Sequence, residues 1–377
     1  MNSLLKQIFL FSLLLSSINS FGQNIPLSKN AKVSVITCDT GNESYSLFGH
    51  TALRITDTDN NLDVVYNYGA FDFATPNFVA KFAKGDLQYF AIAHSFTDFI
   101  NQYAYEQRSV FEQQLNIPAG YKQKLFDNLN TVLVSEERYY TYKFIDKNCT
   151  SMVVDILNKT LGTKVIFKKE DTNKTYRTIL FPYFDNFFYQ QLGTSIIFGS
   201  KVDQYGTKIF LPLELHKNLQ QIQFENYPLS KESVSLLDFK KETSKSWWDN
   251  IYTFILFLGI IVVANKNSID LVYLTIMGLL GLFFGFMGFY SFHHELANNY
   301  NILLFNPFLL VLLYCIATKN KKWIINLAVL NILFLIVYIG FMLNKIHLLI
   351  VLPLILTNTV ILVKMIFWNS KRIPVII

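Results

Sequence analysis

From Trp247 onward the chain consists of long runs of Leu, Ile, Val and Phe separated by short polar breaks, a pattern that a soluble core does not produce. Five runs are candidates to cross a bilayer, at roughly 247–265, 269–291, 301–318, 323–343 and 347–367, since a spanning helix needs about 17–25 mostly apolar residues. The breaks also carry an orientation. Lys266, Lys319, Lys321, Lys322, Lys371 and Arg372 fall on one side when the runs alternate in direction, whereas "SFHHELANNYN" and "NKIH" on the other side hold only Lys345. Lys and Arg are retained on the cytoplasmic side, so the chain before the first run is expected outside.

The opening residues fit an exported domain. "MNSLLKQIFLFSLLLSSINSFGQN" has an early Lys6, an apolar run from Ile8 to Leu15, and small residues at Ser20 and Gly22. This is the pattern of an export signal and is too short to be a span. The expected organisation is a signal peptide at 1–22, an exported domain at 23–246 and an all-α membrane domain of about five helices at 247–377. The net charge of +6 owes something to the cytoplasmic lysines. No recognition helix or aromatic–basic platform accompanies it, so nucleic acid is not an expected partner.

Within the exported domain, "KVSVITC", "HTALRIT", "LDVVYNYGAF", "LQYFAIAHS" and "RSVFEQQLNI" are short β-branched or aromatic runs between Gly, Asn and Asp turns, and they predict strands. "PAGYKQKLFDNLNTVLVSEERYY" follows, with Leu125, Leu129, Val132 and Leu133 at helical spacing. A second helix is predicted from Cys149, with Asn148 able to cap it and Met152, Val153, Ile156 and Leu157 forming one apolar stripe. Residues 160–246 read as mixed structure ending in a polar linker, "KESVSLLDFKKETSKS". The expected fold is therefore α+β, strands first and a cysteine-headed helix after them.

A cysteine in the first turn of a helix lies near unpaired N–H groups and the positive end of the dipole, which favour thiolate over thiol. A nucleophile also needs a base. Of His50, His94 and His216, His50 is the most informative. It opens a strand in which Leu53 and Ile55 face one side and His50, Ala52 and Arg54 the other. A His on a strand, further strands, and then a Cys opening a helix is the order of circularly permuted papain-like hydrolases and acyltransferases. Asn67 on the strand "VVYNYG" is the candidate to orient His50. Tyr66 points to the opposite face of a regular strand.

"TCDTGNESYSLFGHTALRI", "VVYNYGAFDF" and "DKNCTSMVVDIL", followed by several membrane runs and the outward loop "HHELANNYNILLFNPF", resemble the Lnb family of bacterial lipoprotein N-acyltransferases. The resemblance implies that Cys149 attacks a phospholipid acyl ester to form a thioester. The α-amino group of a lipoprotein's diacylglyceryl-cysteine then takes the chain, with His50 moving the protons. The partners it implies are a phospholipid acyl donor, a lipoprotein acceptor and the membrane itself. It places the chain in the bacterial inner (cytoplasmic) membrane, multi-pass, with a periplasmic N-terminal domain. The N–H of Cys149 is a candidate oxyanion donor.

Around this site Arg54, Tyr66, His293, His294 and Asn301 are candidate substrate-binding residues, and Arg108 a further phosphate contact. No metal or other cofactor is expected, because the His293–His294 pair lacks the HExxH spacing and a second ligand cluster. Two other readings fit the residues. One is a membrane-anchored cysteine peptidase or amidase of the cell envelope. The other is a non-catalytic receptor or assembly protein in which Cys38 and Cys149 are joined as a disulfide. Cys315, the third cysteine, falls inside an apolar run.

Overall fold

A computed structural model describes residues 25–43, 45–162, 164–240 and 246–370. The expected signal peptide and the tail residues Lys371 and Arg372 lie outside the described residues. The N-terminal domain is organised on a seven-stranded antiparallel sheet. Its strands are β1 (Lys32–Cys38), β2 (His50–Asp57), β3 (Leu62–Ala70), β4 (Gln88–Ser95), β5 (Val110–Gln114), β6 (Tyr139–Thr141) and β9 (Val234–Leu237), in the order β6-β4-β3-β2-β1-β5-β9. A separate two-stranded hairpin pairs β7 (Gln223–Phe224) with β8 (Tyr227–Pro228). All five strands predicted from the sequence form.

The sheet is covered on both faces. Leu53, Ile55 and Tyr66 pack under α3 (Ala119–Val134) and α4 (Cys149–Leu161), which contribute Leu125, Leu129, Val153 and Leu157. Ile36, Cys38, Ala52 and Val65 pack with Phe99 and Tyr103 of α2 (Phe96–Tyr105) on the other face. β1 is therefore buried along almost its whole length. The stretch from Lys32 to Ile117 was expected to be mostly strand, but it also holds α1 (Phe78–Lys84) and α2. Ser95 starts α2 by accepting the Asp98 N–H at 3.1 Å, and Phe96, Phe99, Ile100 and Tyr103 then recur at helical spacing. The supposed linker supplies β9, which needs only a backbone edge to pair with.

Three short helices follow α4: α5 (Tyr176–Leu180), α6 (Phe188–Ile197) and α7 (Pro212–Leu219), the last with Leu215 and Leu219 in the core of the sheet domain. The apolar helices follow: α8 (Ile251–Ala264), α9 (Asn267–Tyr290), α10 (Phe308–Ala317), α11 (Lys321–Met342) and α12 (Leu348–Ser370). Among the described residues α9, α11 and α12 are long and apolar enough to cross a bilayer. The run read as one span at 301–318 is bent: His294–Leu303 and Phe308–Ala317 meet at 42°, and together they are apolar enough to form one broken span or a re-entrant loop. Pro307 stands at the break, where its ring and missing N–H prevent a continuous helix. α8 has 14 residues, fewer than a straight crossing requires.

Candidate active site

Two local devices bring the candidate residues to one end of the sheet. The first is the cap of α4. Asn148 Oδ1 accepts the N–H groups of Thr150 at 2.9 Å and Ser151 at 3.0 Å, while its Nδ2 donates to Phe144 O at 2.7 Å and Phe210 O at 2.9 Å. A buried carboxamide bonded on both sides fixes where the helix begins, and Cys149 is its first residue. The cap takes the N–H groups of the two following residues, so that of Cys149 stays at the open, positive end of the helix.

The second device is the register of the sheet. β2 pairs with β1 so that His50 lies opposite Cys38, and with β3 so that Ala52 lies opposite Asn67. His50 and Asn67 thereby share a face, and His50 Nε2 is 3.1 Å from Asn67 Oδ1. With Nε2 donating to Asn67, Nδ1 is the nitrogen left for the thiol of Cys149, which lies close enough for the charges of the two side chains to act on each other. The register of β3 against β4 shifts between Asn67 and Ala70, and Gly69 there has φ +108°. A Cβ on Gly69 would sit 3.7 Å from Cys149 Cβ and 3.9 Å from His50 Cε1, closing over the pair. Only glycine combines that backbone conformation with an open approach to the thiol.

Burial opposes ionisation of Cys149, but the positive His50, its hydrogen bond, the Thr51 N–H and the Thr150 hydroxyl outweigh it and hold the thiol below its ordinary value. For His50 burial favours the neutral ring. The Cys149 thiolate and the hydrogen bonds to Cys149 and Asn67 override it, and the imidazole is raised above its ordinary value. The two shifts together favour a thiolate–imidazolium pair. Thr51 Oγ1 lies 3.0 Å from Thr150 Oγ1, tying β2 to the first turn of α4 beneath the pair.

The other candidates lie elsewhere. Arg54 forms ion pairs with Asp63 at 2.8 Å and Glu112 at 3.2 Å, and its guanidinium stacks 3.3 Å from the centre of the Phe96 ring. It is neutralised, four residues along β2 from His50. Tyr66 faces the opposite layer and donates to Asn130 Oδ1 at 2.8 Å. Arg108 binds Asp39 O at 2.9 Å and Glu106 at 2.8 Å. Asn301 is fully buried, donating to Ile196 O at 3.0 Å and accepting from Tyr338 at 2.6 Å, and so joins α6 to α11. His293 Nε2 lies 2.9 Å from Phe82 O, against α1, while His294 is exposed. Cys38 and Cys149 are both free thiols, and burial pushes the Cys38 thiol up.

Gly69 and three tyrosines escaped the sequence reading. Tyr89, Tyr140 and Tyr142 lie near enough to Cys149 for its charge to add to burial in raising their phenols. They come from β4, β6 and the strand-like stretch after it, and no spacing in the sequence links them.

A polar Cys–His–Asn cluster in an α/β domain, carried by helices long enough to cross a bilayer, defines a membrane protein whose candidate site lies outside its spanning segments. The chain belongs to the Lnb family. Residues 23–180 match the family model of the Lnb N-terminal periplasmic domain, and residues 246–372 that of the Lnb transmembrane domain. The domain bearing Cys149 is thus a periplasmic one. No curated protein and no solved structure matched the chain.

Proposed function

We propose that the protein is a lipoprotein N-acyltransferase of the bacterial inner membrane, with a permuted papain-like site. The observation that carries this reading is the alignment of Cys149, His50 and Asn67, with His50 3.1 Å from Asn67 and beside a thiol whose ionisation it favours. The Cys149 thiolate attacks the ester carbonyl of a phospholipid. The oxyanion that forms accepts the N–H of Cys149 at the start of α4. Collapse breaks the acyl C–O bond, the leaving glycerol oxygen takes a proton from His50, and a lysophospholipid departs from the thioester. The α-amino group of a diacylglyceryl-cysteine then attacks the thioester, His50 removes the amine proton, and the C–S bond breaks to give the amide and restore the thiolate. Asn67 is a positioning residue that holds the imidazole in the plane both steps need.

The test is mass spectrometry of a reporter lipoprotein's N-terminal peptide, in a host depleted of its own N-acyltransferase and supplied with this protein or its Cys149→Ser form. A third acyl chain dependent on the thiol is expected. A peptide that stays diacylated although the protein is inserted would overturn the transferase in favour of a hydrolase. Modification that survives Cys149→Ser would exclude the thioester.

A further inference from the structure

One short helix of the periplasmic domain touches the core through a single residue, Phe78. Helix α1, "FVAKFAK", has five apolar residues among its seven, yet none of the seven is buried. Val79 is 77 % exposed and Phe82 45 %, and Phe73 in the preceding loop is 73 % exposed. Apolar surface of this kind on a soluble domain is covered by something.

The attachments of the helix identify what covers it. Its last turn is hydrogen-bonded to the residues that leave α9: Ser291 Oγ to Ala83 O at 2.8 Å, Phe292 N to Lys84 O at 2.7 Å, and His293 Nε2 to Phe82 O at 2.9 Å. At Gly85, with φ +72°, a Cβ would come within 3.0 Å of the His293 ring and backbone, so only glycine permits the approach. α9 is long enough to cross a membrane, and Phe289, Tyr290 and Phe292 at its end are exposed in the manner of an interfacial aromatic belt. α1 is therefore held at the height of the membrane surface, with Lys81 in its last turn, where cations meet lipid phosphates, and Lys84 paired to Asp86 at 3.1 Å.

The same segment leads to the thiol through touching rings. Phe73 and Phe78 are 5.1 Å apart, Phe71 is 4.8 Å from Phe73 and 5.1 Å from Tyr89, and Tyr89 stacks on Tyr142 at 4.5 Å. At its start Phe71 stands two residues beyond Gly69, where an added Cβ would lie 3.7 Å from Cys149 Cβ. We propose that the segment from Phe71 to Lys84 is seated in the periplasmic leaflet of the bilayer and forms the apolar passage by which a phospholipid acyl chain reaches Cys149. The passage rests on the acyl-transfer reading, whereas the seating in lipid does not.

The experiment places photoreactive benzoylphenylalanine at position 73, 79, 289 or 59, one at a time, in the full chain in vesicles of phosphatidylethanolamine and phosphatidylglycerol. Position 59 lies in the turn at the far end of β2. After irradiation, intact mass is expected to show phospholipid adducts at 73, 79 and 289 and none at 59. Adducts at 289 without any at 73 and 79, or protein crosslinks in their place, would overturn the seating. In parallel, the Val79→Asp, Phe82→Asp double variant is expected to lower reporter acylation by about tenfold or more, because charged residues weaken interfacial insertion. Its Cys149 should still react with iodoacetamide at the parent rate. Acylation at the parent rate would overturn the passage. Failure of the acyl-transfer reading shows separately, as a reporter that stays diacylated with the parent protein while lipid capture at 79 is unchanged.

Discussion

Replacing Asn67 by alanine isolates the orientation of His50 from its presence. The bond removed joins Asn67 Oδ1 to His50 Nε2 at 3.1 Å, in a site where Asn67 is 8 % exposed and water is a poor substitute. A hydrogen bond to a charged partner contributes about 1.5–3 kcal/mol, which at about 1.4 kcal/mol per factor of ten corresponds to a rate loss of roughly 10- to 150-fold. The loss should be a function of pH. Asn67 is one of the groups that raise His50, so without it the imidazolium gives up its proton at a lower pH. The thiolate–imidazolium pair exists above the Cys149 pKa and below the His50 pKa. The alkaline limb of the rate profile should therefore move down, and the acid limb should move up as Cys149 loses part of its stabilising charge. The assay is reporter acylation against pH, alongside the rate of Cys149 alkylation by iodoacetamide, which follows the thiolate and reads the acid limb. Asn67→Asp, which keeps an acceptor and adds a negative charge, should move the alkaline limb up instead. Unchanged limbs in Asn67→Ala, with parent thermal stability, would refute the role given to this contact.

Four further outcomes are expected. Cys38→Ala should destabilise the domain by about 1 kcal/mol, as typical core substitutions do, while the rate of Cys149 alkylation stays at the parent value; thermal melting and labelling measure the two effects. Tyr66→Phe removes the bond to Asn130 on the opposite layer and should cost about 0.5–1.5 kcal/mol of stability with acylation intact. Gly69→Val should cost roughly 1–3 kcal/mol in backbone strain at φ +108° and also block alkylation of Cys149 by covering it, so that activity falls further than stability. His50→Ala removes the positive charge that does most to hold the Cys149 thiol down, so the midpoint of thiol alkylation should move to higher pH and acylation should be lost.

The legible parts of this protein were those encoded by local pattern. Alternation announced β1 to β5, and the three- and four-residue spacing of Val153, Ile156 and Leu157 behind Asn148 placed α4 and its cysteine. His50 and Asn67 could be put on strands for the same reason. That they share a face is a register fact. It depends on Ala52 lying opposite Asn67, and register is set by packing of both layers rather than by either strand's sequence. Arg54 and Tyr66 were natural candidates because a strand residue near a site reads the same whether it faces substrate, an acidic neighbour or a helix. Asp63 and Glu112 decide the first case and Asn130 the second, and both choices are made by tertiary contacts. Hydropathy likewise reported five apolar runs but could not show the 42° bend near Pro307.

The outward loops gave another kind of ambiguity, because a polar residue between two spans reads alike as solvent-facing, substrate-binding or structural. Here many of these residues form a seam between the domains. Asp203 accepts from Arg177 at 2.7 Å, Tyr300 at 2.6 Å and Lys345 at 3.0 Å. Glu295 is buried beside Lys201, its Oε1 3.4 Å from the Ile145 N–H, and its carbonyl takes the Gly199 N–H at 2.7 Å. An apolar interface would hold two domains together but tolerate sliding, whereas buried charges must meet specific partners or be left unpaired, at a cost of about 3–5 kcal/mol for a broken pair. On the acyl-transfer reading both substrates are confined to the membrane surface, so the thiol has to be held at one height and one orientation above it. Ile145 lies four residues before Cys149, so the start of α4 is tied to the seam as well as to β2 through Thr51 and Thr150. The polar composition of the loops therefore serves to fix the distance from bilayer to nucleophile.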